Sequence, residues 1–180
     1  PGKMNFGVVG EALKHVSGKD KDVEWKIIGP MDSEGNPHHV KLLQDLNYPW
    51  VEFTGRVNDL NDECFHRRLA RMTAMLLPFR DKMSSNGTAP SRSSLQIAWA
   101  FGLPVVASKP IEEEEALRDG ENCLLVDEDD PDAWQVAIER ILNDQALRKT
   151  LRQGSLDSAR RFGWDRLAEE HVRLYEGISS

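Results

Sequence analysis

The stretch SRSSLQIAWAFGLPVVAS, Ser91 to Ser108, decides the fold because it joins a helix pattern directly to a strand pattern. Ser91 can cap a helix whose apolar residues run to Phe101. The LPVVAS at its end is short, apolar and rich in valine, which is typical of a buried strand. A helix that leads at once into a buried strand is one step of an alternating α/β arrangement, so we expect similar units on either side.

The same alternation extends from this stretch toward both ends of the chain. An amphipathic pattern predicts a first helix from Phe6 to Val16, and further helices are expected around residues 37–46, 59–72 and 111–117. Short apolar runs predict strands at VEWKIIG, WVEFTG, TAMLLPF and NCLLV. This order predicts an α/β fold: a Rossmann-like parallel sheet with right-handed crossovers and helices on both faces.

The chain from residue 130 onward carries helix patterns alone. Apolar residues spaced along 134–142, 147–151 and 164–175 predict three helices. Nothing in the composition indicates a second domain. We therefore expect one domain over residues 1–180, with residues 130–180 as its all-helical C-terminal part.

Composition and charge exclude several classes of protein. A length of 180 residues with 39% hydrophobic residues suits one globular domain that needs no disulfides. The net charge of -7, without a long basic run, leaves no excess of Lys and Arg for a nucleic acid partner. Cys64 and Cys123 have neither CxxC spacing nor an ordered relation to His, which favours reduced thiols in a cytosolic setting.

Membrane insertion and secretion are not indicated either. No apolar run is long enough for a membrane span, and the N-terminus has no signal-peptide pattern. We expect a cytoplasmic location, with peripheral contact to a membrane left open.

Two short motifs superficially suggest nucleotide or metal binding. Gly7-x-x-Gly10 lies inside the first helix pattern and lacks the strand-turn-helix context of a dinucleotide fingerprint. Asp127-Glu128-Asp129 has a DxD form, but Pro131 comes next where a first helical turn is expected, and these carboxylates complement the positive end of that helix. A helix start is the favoured interpretation, and no metal site is expected.

The remaining titratable clusters have ordinary interpretations. Glu112 to Glu115 suit the solvated face of a short helix, although one of them could point toward the strand ends. His38 and His39 have no third ligand spaced to join them, which favours a solvated helix start. His66 and His171 fall in helix patterns and are most simply surface residues or residues with satisfied hydrogen bonds. No catalytic base can be named from these residues.

The loop SSNGTAPSRSSLQ, Ser84 to Gln96, gives the strongest local signal. The sequon Asn86-Gly87-Thr88 would need a secretory context that the chain does not show. The first turn of the helix after the loop offers an anion about 0.3 to 1 kcal/mol from the helix dipole. From these residues alone, an anion-binding loop and a flexible loop with an ordinary cap are equally supported. The donors involved are the free N–H groups of the turn and the side chains of Ser91, Arg92, Ser93 and Ser94.

The position of this loop in the predicted sheet matters. Ligands of open α/β sheets bind beyond the carboxyl ends of the strands. The loops to search are therefore those after Gly29, Gly55, Phe79 and Ser108, and the Ser84–Gln96 stretch lies in one of them.

Several short motifs occur in an order that resembles one enzyme family. They are Lys3 before the first helix, WKIIGP, VEFTGRV at Val51–Val57, MLLPF, AFGLPVVAS, DGENCLLV and the terminal RRFGWDRLAEEHVRLYEG. Together they resemble the C-terminal, nucleotide-sugar-binding half of GT-B glycosyltransferases, in the retaining family 4 group (glycosyl transferases group 1). The resemblance covers nearly the whole chain, and it implies a nucleotide-sugar donor with no cofactor and no obligatory metal.

The resemblance also implies roles for particular residues. Lys3 and Arg92 would stabilise the charge of the departing diphosphate, and they are the candidate catalytic residues. Gly55 to Val57 would flank the base, and Ser91 to Ser94 would cap the diphosphate. The full set of donor-binding candidates is Gly55, Arg56, Val57, Arg80, Ser84, Thr88, Ser91, Ser93, Ser94 and Gln96.

The chain departs from the family pattern at two glutamates that bind the ribose and the sugar. Counting back from Gly102 places the second on Gln96 and the first on Thr88, and neither supplies a carboxylate. Gln96 can still form hydrogen bonds with ribose hydroxyls. Some members carry a PF-x-D-x-x-S…R-x-S-L loop, which PFRD, Ser84 and RSSL resemble; this variant adds Arg80 as a basic residue at the strand end.

The sequence supports three hypotheses about function. The first is the donor-binding domain of a retaining glycosyltransferase; because the chain opens on Pro1-Gly2-Lys3 without the family's first strand and N-terminal acceptor domain, we expect a fragment that does not transfer sugar alone. The second is a degenerate nucleotide-binding or scaffold module that has lost both glutamates. A phosphoacceptor receiver domain is less favoured, since Gly29-Pro30 offers no acidic pocket.

Overall fold

The described strands and helices occur in the order that the sequence predicts. The computed structural model describes residues 4–17, 23–28, 41, 44–55, 59, 61–79, 93–109 and 116–178. The strands are β1 (Trp25–Ile28), β2 (Val51–Gly55), β3 (Met75–Leu77), β4 (Val105–Ser108) and β5 (Leu124–Val126). The helices are α1 (Phe6–Ser17), α2 (Glu63–Ala70), α3 (Ser93–Ala100), α4 (Pro131–Asn143), α5 (Gln145–Phe162) and α6 (Trp164–Ile178).

All strand pairs are parallel, and they form two hydrogen-bonded groups. β1 pairs with β2, and β4 lies between β3 and β5. All four residues of β4 are fully buried, as expected of a strand with neighbours at both edges and helices on both faces. Burial on both faces explains the continuous apolar run in the sequence of β4. The predicted parallel α/β fold is confirmed.

Helices cover both faces of the sheet, as predicted. Val106 of β4 packs into a core formed with α1 and α4, where Trp134 is the largest fully buried side chain. Its neighbours Val105 and Ala107 point the other way, into a second core formed with α2, α3 and the end of α5. This alternation is caused by the two-residue period of a strand. The two helical layers therefore lie on opposite faces of β4.

Side-chain caps set the starts of α2 and α4. Asp62 accepts a hydrogen bond from the backbone N–H of Cys64, so α2 starts later than the patterned segment 59–72. Asp130 accepts from the N–H groups of Asp132 and Ala133, and a proline occupies the first helical position of α4. The predicted helix start at this proline is confirmed.

The C-terminal end of the helix predicted over residues 111–117 is wrong at the two positions that the structure describes. The sequence pattern places Ala116 and Leu117 at the end of a helix over residues 111–117, but Ala116 lies in a turn and Leu117 is not helical. The reason is the side chain of Asn122, which bonds the carbonyl of Ala116 and the N–H of Arg118 and so fixes a non-helical backbone. Residues 110–115 lie outside the described part of the chain. Of the helix expected around residues 37–46, positions 41, 44, 45 and 46 are described; the first three are helical and the last lies in a turn.

The last helix is an exposed amphipathic element. On α6, Val172, Leu174 and Tyr175 expose 54%, 60% and 65% of their surface. None of the helices in the described ranges is both long and apolar enough to cross a membrane.

Candidate functional site

The carboxyl ends of β3 and β4 are joined directly to the start of α1. The Ser108 hydroxyl, at the end of β4, donates a hydrogen bond to the carbonyl of Phe79 at 2.5 Å. Phe79 also forms an antiparallel bridge with Met4, and the N–H of Asn5 donates to the carbonyl of Pro78 at 2.7 Å. The segment before α1 therefore runs past the end of β3, which places the first turn of α1 at this edge of the sheet.

The loop after β5 reaches the same place through Asn5. The Asn5 side-chain amide donates to the carbonyl of Glu128 at 3.2 Å and to the carboxylate of Asp129 at 2.9 Å. Within this loop, Asp127 accepts from the N–H of Asp129, and its carbonyl accepts from the Trp134 ring at 3.1 Å. The acidic run is thus engaged in shaping the start of α4. Among the described residues, no group of three or more His, Cys, Asp or Glu is placed to hold a metal ion.

A β-bulge shapes the end of β2. Ile27 pairs with Phe53 but Ile28 pairs with Gly55, so Thr54 is an extra residue on β2. The Thr54 hydroxyl lies 3.4 Å from the carbonyl of Ile27, to which it donates. A bulge bends the strand and redirects the backbone beyond it. Gly55, which the sequence places beside the base, therefore lies at the carboxyl end of a strand whose exit is bent.

The first turn of α3 lies at the carboxyl ends of β3 and β4. Because α3 connects the parallel strands β3 and β4, it runs against them, and its N-terminus lies on the side of their carboxyl ends. Leu95 anchors this turn in the second core, whereas Ser93 is exposed and Ser94 and Gln96 are half-buried. The first N–H groups of a helix have no partners within it. This turn therefore presents backbone donors, two hydroxyls and one amide side chain.

The end of α3 is fixed by a glycine in the left-handed conformation. Gly102 has a φ of 59°, its N–H donates to the carbonyl of Trp99, and the N–H of Leu103 donates to the carbonyl of Ala98. This bonding pattern is the Schellman motif, which needs a left-handed residue that glycine adopts without strain. The motif fixes the relation between α3 and the start of β4.

The predicted site residues divide into two groups. Gly55, Ser93, Ser94 and Gln96 are described, and all four lie at strand ends or in the first turn of α3. The others lie outside the described residues: Lys3, Arg56, Val57, Arg80, Ser84, Thr88, Ser91 and Arg92. Their roles stay predictions. His66 and His171 are exposed on α2 and α6, as expected.

Two residues at this edge have no role in the sequence-based prediction. Asn5 joins α1 to the loop after β5, and Ser108 joins β4 to the segment after β3. Each has a local signal: an asparagine just before a helix can bond backbone groups, and a serine that ends an apolar strand needs a partner once it is buried. The identity of those partners depends on contacts between distant parts of the chain.

Shifted pKa values occur at an ion pair and at a buried thiol. The Nζ of Lys26 in β1 lies 2.5 Å from the Oε2 of Glu52 in β2. Their hydrogen bond raises the pKa of the lysine and lowers the pKa of the glutamate. Burial in the second core raises the pKa of the Cys123 thiol to about 12, and the charge of Asp119 adds to this shift. Cys123 is therefore a neutral core residue rather than a reactive thiol.

A parallel sheet, helices on both faces and polar groups gathered at the strand ends define a Rossmann-like α/β domain. The family model for glycosyl transferases group 1 matches residues 3–144, and the chain belongs to this family. The resemblance found in the sequence motifs is thereby confirmed.

Curated relatives match part of the chain. A D-inositol 3-phosphate glycosyltransferase from Nocardioides sp. is 38% identical over 78 residues, which are 43% of this chain and 17% of that protein. One of the same description from Acidothermus cellulolyticus is 43% identical over 76 residues, 42% of this chain and 17% of that protein. These matches thus cover less than a fifth of the relatives' length.

Solved structures show the same fold over nearly the whole chain. A glycosyltransferase from Rickettsia africae superposes with a TM-score of 0.76 at 14% identity, covering 100% of this chain and 47% of that one. Anabaena HepE in complex with UDP-glucose gives a TM-score of 0.74 at 18% identity, covering 97% of this chain and 46% of that one. This chain therefore corresponds to slightly less than half of each, and the likeness supports the GT-B assignment.

Proposed function

We propose that this chain is the donor-binding domain of a retaining glycosyltransferase that takes a sugar from a nucleotide diphosphate sugar. One observation carries the proposal: in a member of the group 1 family, the first turn of α3 presents its donors at the carboxyl ends of the strands. Parallel α/β sheets bind their ligands at this edge. The N–H groups and hydroxyls of a helix's first turn suit a diphosphate there.

The chemistry requires stabilisation of a departing diphosphate. When the bond between the sugar and the diphosphate breaks, negative charge grows on the phosphate oxygens. The N–H groups of α3, the hydroxyls of Ser93 and Ser94, and the cationic Arg92 and Lys3 would offset it. Fixed donors and cations can do this without a metal ion, so we propose no obligatory metal and no other cofactor.

The acceptor belongs to another part of the protein in this proposal. One structural neighbour, Anabaena HepE, holds UDP-glucose, and the named relatives are inositol phosphate glycosyltransferases of which this chain matches a small share. By analogy, a nucleotide sugar would bind here, and the acceptor would bind an N-terminal domain. Transfer by this chain alone is not expected.

A specific feature favours one alternative. Gln96 and Thr88 stand where the family resemblance implies glutamates, so the chain lacks two carboxylates for the ribose and the sugar. A degenerate module of this fold would still bind a nucleotide diphosphate or act as a scaffold. It would not distinguish a nucleotide sugar from the free nucleotide diphosphate.

Calorimetric titration of the chain with UDP, GDP, ADP and their sugars tests the proposal. We expect one of the three nucleotide families to bind, and Arg92→Ala to weaken that binding by a factor of about ten or more through the loss of a charge-assisted contact. Arg160→Ala is the matched control, because Arg160 pairs with Asp157 at 2.7 Å on the exposed side of α5. Equal affinity of wild type and Arg92→Ala would contradict the proposal.

The same titration separates the two candidate functions. A donor-binding domain is expected to bind the nucleotide sugar more tightly than the nucleotide diphosphate, since the sugar adds contacts. Equal or weaker binding of every sugar form would favour the degenerate module. No response to any of these compounds at millimolar concentration would exclude the donor-binding domain and a nucleotide-binding module, and would leave the scaffold role.

A further inference from the structure

α3 is too short to fix its own position, and α5 holds its C-terminal half. The indole ring of Trp99 stacks on Phe162, with 5.6 Å between ring centroids and an angle of 27°. Its ring N–H is buried and has no hydrogen-bond partner among the described residues, so packing against α5 sets the orientation of this side chain. At the end of α3, a Cβ on Gly102 would lie 3.0 Å from the side chain of Leu156.

Small residues on one face of α5 allow this close approach. The fully buried Ser155 donates from its hydroxyl to the carbonyl of Leu103 at 2.8 Å, in the connection between α3 and β4. One position earlier, Gly154 lies so close to the loop before β5 that a Cβ would overlap the carbonyl oxygen of Glu121. Position 154 therefore requires glycine because the neighbouring backbone leaves no room for a side chain, even though glycine lowers helix propensity.

α5 is in turn anchored to the loop before β5. The side-chain amide of Asn122 donates to the hydroxyl of Ser158 at 2.8 Å, and that hydroxyl donates to the carbonyl of Gly154. Asn122 is itself held by the carbonyl of Ala116 and the N–H of Arg118. α5 therefore connects the loop before β5 with the end of α3 through hydrogen bonds that are buried or partly buried.

We propose that Ser155 and Gly154 are positioning residues for the first turn of α3. They touch no ligand: they fix α5 against the start of β4 and the loop before β5, and α5 fixes the axis of α3. Displacement of α3 moves the hydroxyls and backbone N–H groups of its first turn away from the diphosphate. Sub-ångström placement of such donors decides how well they bind, because hydrogen bonds weaken steeply with distance and angle. This inference rests on the proposed function, since it needs the donor at α3.

Nucleotide affinity of two variants of the 180-residue chain tests the inference. Ser155→Ala removes the bond to Leu103, and Gly154→Ala adds a methyl group where the Glu121 carbonyl lies. We expect each variant to bind the nucleotide diphosphate about threefold or more weakly than wild type does, because such sites are sensitive to misplacement. Gly177→Ala in α6 is the control for the glycine, because a Cβ there would meet nothing within 4 Å.

A second control removes the effect of stability. Ile141→Val shortens a side chain in the other core, on α4, and is expected to lower the melting temperature as Ser155→Ala does. A merely structural role for Ser155 predicts that both variants, while folded, keep wild-type affinity. Weaker binding by Ser155→Ala with wild-type binding by Ile141→Val supports positioning. Equal affinities of the two variants would overturn it, and Ser155→Ala decides alone if Gly154→Ala does not fold.

Failure of the proposed function gives a different result. If wild type itself binds no nucleotide, the donor-binding proposal fails and this inference falls with it. If wild type binds a nucleotide and both α5 variants bind it with wild-type affinity, the proposed function stands and the positioning role is contradicted.

Discussion

The hydroxyl of Ser108 donates to the carbonyl of Phe79 and so ties the end of β4 to the segment after β3. Ser108 is fully buried, and Phe79 is also bridged to Met4 before α1. Three separate parts of the chain thus meet at one edge of the sheet. This bond holds together the strand ends at which the proposed donor site lies.

Ser108→Ala is expected to lower the free energy of unfolding by about 1 to 3 kcal/mol, because it leaves a carbonyl without its partner in a buried setting. Urea denaturation measures this loss. Ser17→Ala is the matched control, since that hydroxyl makes a longer bond of 3.3 Å to the carbonyl of Lys14 at a helix end. If the two variants lose the same stability, Ser108 does not tie the strand ends as described.

Asn122→Ala is expected to be among the more destabilising polar substitutions in the described part of the chain. Its side chain accepts from the N–H of Arg118 and donates to Ala116 and Ser158, each at 2.8 Å. Loss of these bonds is expected to cost at least about 2 kcal/mol, since each buried bond contributes about 1 kcal/mol and the groups left behind lack partners. Gln153→Ala, which removes an exposed bond to Asp157, is the control for denaturation measurements. A loss no larger than in that control would contradict the account.

Asp130→Ala tests whether the acidic run before α4 shapes a helix start. The Asp130 carboxylate accepts from two N–H groups, and loss of such a cap is expected to cost about 1 kcal/mol. Thermal unfolding in the presence of magnesium or manganese supplies the second readout. We expect neither ion to raise the melting temperature of wild type relative to the same protein in EDTA. Stabilisation that appears in wild type and disappears in Asp130→Ala would indicate a metal site instead.

Cys64 and Cys123 are expected to differ sharply in reactivity. Cys64 is exposed, whereas burial raises the pKa of the Cys123 thiol to about 12. At pH 8, a thiol reagent is expected to modify one cysteine in the folded chain and both in denaturant. Cys64→Ser is expected to abolish the reaction of the folded protein. Rapid modification of that variant would show that Cys123 is not held in the core.

The same pKa shift has a consequence for alkaline stability. An unfolded cysteine has a pKa of about 8.5, so the folded state binds the Cys123 proton more tightly than the unfolded state. Its contribution to stability is complete below that value and is lost as the pH rises toward about 12. Cys123→Ala is expected to show a shallower loss of stability across this window in urea denaturation. An identical pH dependence would contradict the assignment.

Much of the fold could be predicted from the sequence because its signals are local. The run at β4 is apolar throughout since both faces of that strand are covered, and Pro131 marks the start of α4 through its own geometry. Contacts between distant segments could not be predicted in this way. From the sequence alone, Gly154 is a residue of low helix propensity, and only the nearby Glu121 carbonyl explains why it is there. Likewise, the helix pattern at Ala116 gives way to a turn because of the bonds that Asn122 makes.

The candidate site was predictable to a more limited extent. The order of the elements places Ser93, Ser94 and Gln96 in a helical turn at the carboxyl ends of the strands, and the structure has them there. The bulge at Thr54 and the bonds of Asn5 depend on strand register and on the approach of distant loops, which no local pattern encodes. The roles of Lys3, Arg80 and Arg92 stay predictions from the family resemblance.

The most direct test of the central claim is a titration of the isotope-labelled chain with the nucleotide diphosphate that it binds, monitored through the backbone amide signals. Binding at the proposed site predicts that the largest shifts occur at Ser93, Ser94 and Gln96 in the first turn of α3, with further shifts at Gly55 and Ser108. The amides of α6, which lie apart from the sheet, are expected to stay unchanged and serve as the internal reference. Shifts that spare α3, or no shifts at millimolar nucleotide, would contradict the account.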